Sequence, residues 1–131
     1  MVDRLGLTFS IHEAQRLAWN NSERHGFHKD DALLVDRAGL VGQRAVIAQK
    51  LALIHQEVSE ALEETRAAHE RFWNVNDTTS EGKPEGFPSE IADIVIRCLD
   101  LAGIVGFDLQ SAVVAKMRWN LERPMKHGKA F

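Results

Sequence analysis

The stretch SEIADIVIRCLDLAG, residues 89–103, decides the fold. Ile91, Ala92, Ile94, Val95, Ile96, Cys98, Leu99, Leu101 and Ala102 leave almost no polar face on a helix. A helix that is apolar nearly all round is expected to be buried. Yet Glu90 and Asp93 stand three residues apart, on one face. Asp100, seven residues past Asp93, falls on roughly the same face. Ionised carboxylates are rarely buried unless they are paired or bind a metal. The cation they need comes either from Lys and Arg or from solution. The helix dipole favours an acid in the first turn, which accounts for Glu90. It does not account for Asp93, one turn deeper between Ala92 and Ile94.

The rest of the chain sets the bounds. Its 131 residues make one domain with room for a core. Hydrophobic residues are 44% and charged residues 27%, an ordinary globular composition. A net charge of −3 supplies no basic field, which disfavours nucleic-acid binding. Cys98 is the single cysteine, so no internal disulfide forms, and its apolar setting predicts a packed thiol. No signal pattern opens the chain and no apolar run approaches ~20 residues, so a cytoplasmic protein without membrane contact is the simplest expectation.

Upstream, Ser10 and Glu13 form an S-x-x-E capping box that starts a helix, and Gly26 stops it. Trp19 and Phe27 sit near its end. Two roles stand open for Trp19, core packing or a stacking wall for a flat ligand, and packing is the commoner. His25 and His28 beside a glycine fit a solvated loop better than a metal pair. Ala32 to Val35 suggest a short helical piece, broken by Gly39 and Gly42. From about Arg44 to Phe72 no Gly or Pro appears, and Val46, Leu51, Ile54, Val58 and Leu62 keep helical spacing. This helix carries EVSEALEE, residues 57–64. Glu63 and Glu64 fit a solvated face, with Arg66 as a local partner. Glu57 and Glu60 differ, because Ile54, Val58, Ala61 and Leu62 bracket them at the edge of the apolar stripe.

Residues 74–88, NVNDTTSEGKPEGFP, make a polar Gly/Pro connection. Its length points to function or mobility. After the acidic apolar helix, Gly103 and Gly106 close that element, and Asp108 caps a last helix reaching about Glu122. Lys116 and Asn120 share a face of it. Arg123, Lys126, His127 and Lys129 make a basic tail. These cations are either a solvated surface or a set of phosphate hooks facing the acids.

Together the chain presents ExxE at 57–60 and ExxD at 90–93. If the two helices pack antiparallel, the four acids converge. An all-oxygen set suits Mg²⁺ or Mn²⁺. Zinc would want His or Cys, and a di-iron bundle would want Glu-x-x-His pairs, which this chain lacks. Hard cations commonly hold phosphates, so the pattern points to nucleotide chemistry.

These motifs, with PSEIADIVIRCLDLAG and the tail KMRWNLERPMKHGKAF, resemble the MazG-like nucleotide pyrophosphohydrolases of the all-α NTP pyrophosphatase superfamily. The likeness covers roughly residues 44–131, with the motif-bearing core at about 44–123 and the basic tail at 123–131. It implies a single all-α domain over residues 1–131, a four-helix-bundle-type fold that assembles as a homodimer or homotetramer. It implies Mg²⁺-dependent cleavage of a nucleoside triphosphate between the α- and β-phosphates, giving the monophosphate and pyrophosphate in nucleotide-pool house-cleaning. Mn²⁺ would substitute. By motif position, Glu60, Glu90 and Asp93 correspond to metal ligands, and Glu57 to a further ligand or the catalytic base. Lys116 and Asn120 correspond to nucleotide contacts, and Arg123 and Lys126 to phosphate contacts. Trp19 is the candidate for stacking on the base. The resemblance leaves base and sugar open, and a phosphoribosyl-ATP pyrophosphohydrolase activity belongs to related scaffolds. A non-catalytic helical scaffold with a residual acid cluster is the rival class.

Overall fold

A computed structural model describes residues 10–66 and 78–123. The described chain is all-α, with four helices: α1 Ile11–Arg24, α2 Lys29–Glu64, α3 Phe87–Val105 and α4 Leu109–Leu121. The only β pairing among these residues is an isolated antiparallel bridge between Thr78 and Pro84.

Each boundary has a local cause. Ser10 caps α1, its hydroxyl accepting from the Glu13 amide at 3.1 Å. The Glu13 carboxylate does not reach back to close the capping box. It pairs with Arg16 one turn on. α2 is continuous in hydrogen bonding but not in direction. Gly39 takes φ 55°, ψ −131°, which is not helical, and the chain folds back there. An Asp31–Lys50 ion pair at 2.7 Å, between side chains that are largely buried, ties the first arm to the second. Nineteen residues of straight helix would separate those two by about 28 Å. Gly42 serves the same fold-back: a Cβ there would lie 2.3 Å from the Leu34 carbonyl oxygen, so only glycine fits. The expected break at 39–42 is therefore a tight corner between two helical arms.

The second arm ends earlier than the apolar spacing predicts. α2 stops at Glu64, short of Phe72, and residues 67–77 lie outside the described residues. The Thr65 hydroxyl donates to the Leu62 carbonyl at 2.7 Å, and the Thr65 and Arg66 amides take carbonyls three residues back. Those tighter bonds finish the helix. The connection that follows is not structureless over 78–86. Thr79 organises a compact turn, with its amide on the Lys83 carbonyl and its hydroxyl accepting from the Glu81 and Lys83 amides.

α3 starts at Phe87, with Pro88 in its first turn, and ends at Gly106, whose left-handed φ of 85° makes the C-cap. Gly103 is not a stop. It lies inside the helix, where the Trp19 side chain packs directly against it. α3 is the centre of the fold, packed against α1 and α2, while α4 lies on α1. Gln15 and Gln110 stitch the α1–α4 contact through Phe107, Leu109 and His12 backbone atoms. Among the described residues the buried apolar core is small: Ala14, Val46, Ala61, Leu99 and Ala102.

The expectation of a fully buried α3 is corrected within the single chain. Ile91, Val95 and Ile96 are exposed, as are Leu51, Val58 and Leu62 of α2. Among the described residues, α1 and α2 cover two sides of α3, and Ile91, Val95 and Ile96 mark a side they leave open. α4 buries no residue at all.

Candidate metal centre

α2 and α3 bring one acid from the first motif against two from the second. Glu57, Glu90 and Asp93 each offer a carboxylate oxygen, and these atoms lie within 4.8 Å of one another. The i, i+3 spacing of Glu90 and Asp93 puts both on the α3 face that meets α2. Glu57 is only 5% exposed, one turn from the buried Ala61 and covered from α3, where Arg97 meets it. Burial, helped by the charges of Glu60, Asp93, Glu57 and Glu64, pushes the Glu90 carboxyl up from the ordinary glutamate range. Burial disfavours the charged carboxylate, and like charges brought close by folding add to that.

The chain itself supplies a cation to one of these acids, Glu57. Arg97, one turn beyond Asp93, places Nε and Nη2 each 2.5 Å from Glu57 Oε1. Arg97 thus serves Glu57 across the α2–α3 contact. Asp100 is not part of the acid group. Its Oδ1 lies 3.0 Å from His28 Nε2, and His28 Nδ1 lies 3.0 Å from Glu23 Oε2. His28 is buried, so it is not the solvated loop residue its neighbouring glycine suggests. His25 is exposed, with Nδ1 on the Asn21 carbonyl.

The remaining candidates stand apart from the triad. Glu60 is exposed, and its carboxylate accepts from Gln56 at 2.8 Å. Its charge still reaches Glu90. Lys116, Asn120 and Arg123 are exposed, the first two on α4 and Arg123 just past its end, and none of their side chains pairs with another described residue. Lys126 lies outside the described residues. Trp19 packs on Gly103 and tilts against the His28 ring, with centroids 5.3 Å apart. Ten residues of α3, about 15 Å of helix, separate that contact from Asp93. Trp19, His28, Val46 and Ile104 line an open cavity of about 920 Å³ at that end of the molecule.

A second cavity, of about 440 Å³, adjoins the acids. Glu64, Thr78, Lys83, Glu85, Gly86 and Glu90 line it. Nothing in the sequence singles out Lys83, because a lysine in a polar Gly/Pro segment carries no spacing to mark it. The Thr79 turn is what delivers it to the acids.

An all-oxygen carboxylate donor set converging from two helices has the chemistry of a hard divalent cation site. Among the described residues no helix is long and apolar enough to cross a membrane. Compared with family models, with curated proteins and with solved structures, the chain finds no match.

Proposed function

We propose that this chain is a Mg²⁺-dependent nucleoside triphosphate pyrophosphohydrolase with a MazG-like fold, cleaving between the α- and β-phosphates. The observation that carries the proposal is the meeting of Glu57, Glu90 and Asp93 across α2 and α3. Their residue types fit Mg²⁺ or Mn²⁺ and exclude a nitrogen- or sulfur-rich zinc set. When bound, the cation neutralises phosphate charge and lowers the pKa of a water.

The chain's own residues do the rest. Glu90 and Asp93 bind the cation from α3, and Glu60 supplies charge beside them. Glu57, buried and held by Arg97 through Oε1, has its orientation fixed, as a ligand or a water-orienting base requires. Lys83, at the wall of the acid-side cavity, neutralises a phosphate oxygen. Lys116, Asn120, Arg123 and Lys126 supply further phosphate and nucleotide contacts. Trp19 stays a packing residue of the opposite end unless a second copy brings it to the acids.

The active form is at least a dimer. Ile91, Val95 and Ile96 on α3 and Leu51, Val58 and Leu62 on α2 are exposed large apolar side chains on the two helices that carry the acids, the kind of surface a second copy covers. Trp119 at 60% and Leu121 at 86% exposure add apolar surface on α4. A second copy covers this surface, and a concentration-independent monomer mass in sedimentation rules that out. The activity is tested with a panel of ribo- and deoxyribonucleoside triphosphates and Mg²⁺. Pyrophosphate is the expected product. No hydrolysis of any of them, together with no Mg²⁺-dependent thermal shift, returns the chain to a helical scaffold.

A further inference from the structure

We propose that Arg97 makes the site selective for a metal–polyphosphate complex over a bare metal ion, a positioning role that rests on the metal-site reading above. Three carboxylates and one guanidinium give a formal charge of −2 where the acids alone would give −3. The guanidinium stays charged at every working pH. Its two contacts both fall on Glu57 Oε1. The Arg97 side chain is 38% exposed while that of Glu57 is 6%, so the guanidinium keeps a solvent-facing side while the acid it holds is buried. A bare divalent ion that reaches Glu57 meets a like charge already held on Oε1. A metal complexed by a triphosphate brings its own anions, and a planar fork of donors suits phosphate oxygens. Arg97 therefore opposes the first ligand and favours the second, while keeping the buried Glu57 paired when neither is bound.

The two ligands give opposite signs when the charge is removed, which a merely structural partner of Glu57 cannot do. The probes are Mn²⁺ alone, followed by its paramagnetic resonance, and the Mg²⁺ complex of inorganic tripolyphosphate, followed by calorimetry. Tripolyphosphate avoids any dependence on the base. Arg97→Met is expected to bind Mn²⁺ about tenfold tighter and Mg²⁺–tripolyphosphate about tenfold weaker, the order of effect of one unit charge beside a divalent ion in a solvated site. Arg97→Lys keeps the charge and loses the fork. It is expected to hold Mn²⁺ within about twofold of wild type and to weaken tripolyphosphate. Weaker or unchanged Mn²⁺ binding by Arg97→Met makes Arg97 a plain structural partner and overturns the assignment. If Arg97→Met does not fold, Arg97→Lys decides: a change in Mn²⁺ affinity beyond about twofold, or intact tripolyphosphate binding, overturns it. Failure of the wild type to bind Mn²⁺ at millimolar concentration instead removes the metal site, and this inference with it.

Discussion

The Trp19 indole packs against Gly103 so closely that a Cβ at 103 would lie 2.7 Å from Trp19 Cδ1 and 3.0 Å from its Cβ and Cγ. This contact sets how near α1 approaches α3. Gly103→Ala brings two opposed effects. Alanine in a helix interior gains about 1 kcal/mol over glycine. Overpacking against a fixed indole costs about 1–3 kcal/mol. The net is destabilising, and urea unfolding measures it. In a Trp19→Ala background the Cδ1 and Cγ contacts are gone and only the Cβ contact at 3.0 Å remains, so Gly103→Ala is expected to cost at least about 1 kcal/mol less than in wild type. An equal cost in both backgrounds would mean that the indole is not what confines residue 103.

His28 joins α3 to the end of α1 by holding Asp100 and Glu23 on its two ring nitrogens. Truncating it leaves Asp100 without its partner in a largely buried position, at a cost of about 1–3 kcal/mol. A double-mutant cycle of His28→Ala and Asp100→Ala is expected to show coupling near 1 kcal/mol. Additivity within about 0.5 kcal/mol would show that the bridge carries no stability.

These residues show what was legible in the sequence and what was not. Asp93 between Ala92 and Ile94 predicted a buried acid in need of a cation, because a carboxylate inside an apolar run is costly until something positive meets it. The acid that is buried and paired is instead Glu57. Which cation serves which acid depends on how helices pack, and no local spacing carries that. Arg97 lies one turn from Asp93 in sequence, yet it crosses to Glu57. Asp100 fell on the right helical face for the acid group, yet His28 takes it. The four helices were readable from periodicity and caps. The corner at Gly39 was readable only as a break, since the contacts that fold it, Asp31–Lys50 and Gly42–Leu34, span many residues. The exposed faces of α2 and α3 were misjudged as buried because apolarity marks a surface that will be covered without saying by what.

Asp108 caps α4, accepting from the Ser111 amide at 3.2 Å and the Ser111 hydroxyl at 2.6 Å. These bonds, the hydroxyl's first, hold its carboxyl below the ordinary aspartate range. A depressed native value means the ionised form stabilises the fold. That contribution is full above the unfolded aspartate value and is lost as pH falls through the lowered one. Asp108→Asn keeps an acceptor but not the charge. Its stability deficit against wild type is therefore expected at neutral pH and closes in strong acid. A deficit that does not change with pH would assign it to cap geometry alone.

For Glu90 the sign is opposite. Burial and four neighbouring carboxylates raise its value, so its contribution is fully present below the ordinary glutamate range and is lost as pH rises through the raised one. In chelator at neutral pH, Glu90→Gln is expected to melt above wild type, and the difference vanishes as both are acidified. Excess Mg²⁺ reverses the order, because the wild type gains ligand-binding energy and the variant has lost a charged donor. Asp93→Asn follows the same reversal and is inactive. A variant that is much less stable than wild type in chelator would make these acids structural partners.

The central claim is that Glu57, Glu90 and Asp93 direct water to the α–β phosphoanhydride of a nucleoside triphosphate with Mg²⁺. Hydrolysis in heavy-oxygen water, followed by phosphorus NMR, tests it most directly. The account predicts a nucleoside monophosphate and pyrophosphate, turnover abolished by chelator and by Asp93→Asn, and the heavy oxygen carried by the monophosphate or the pyrophosphate but never by orthophosphate. Release of labelled orthophosphate with a nucleoside diphosphate would contradict it.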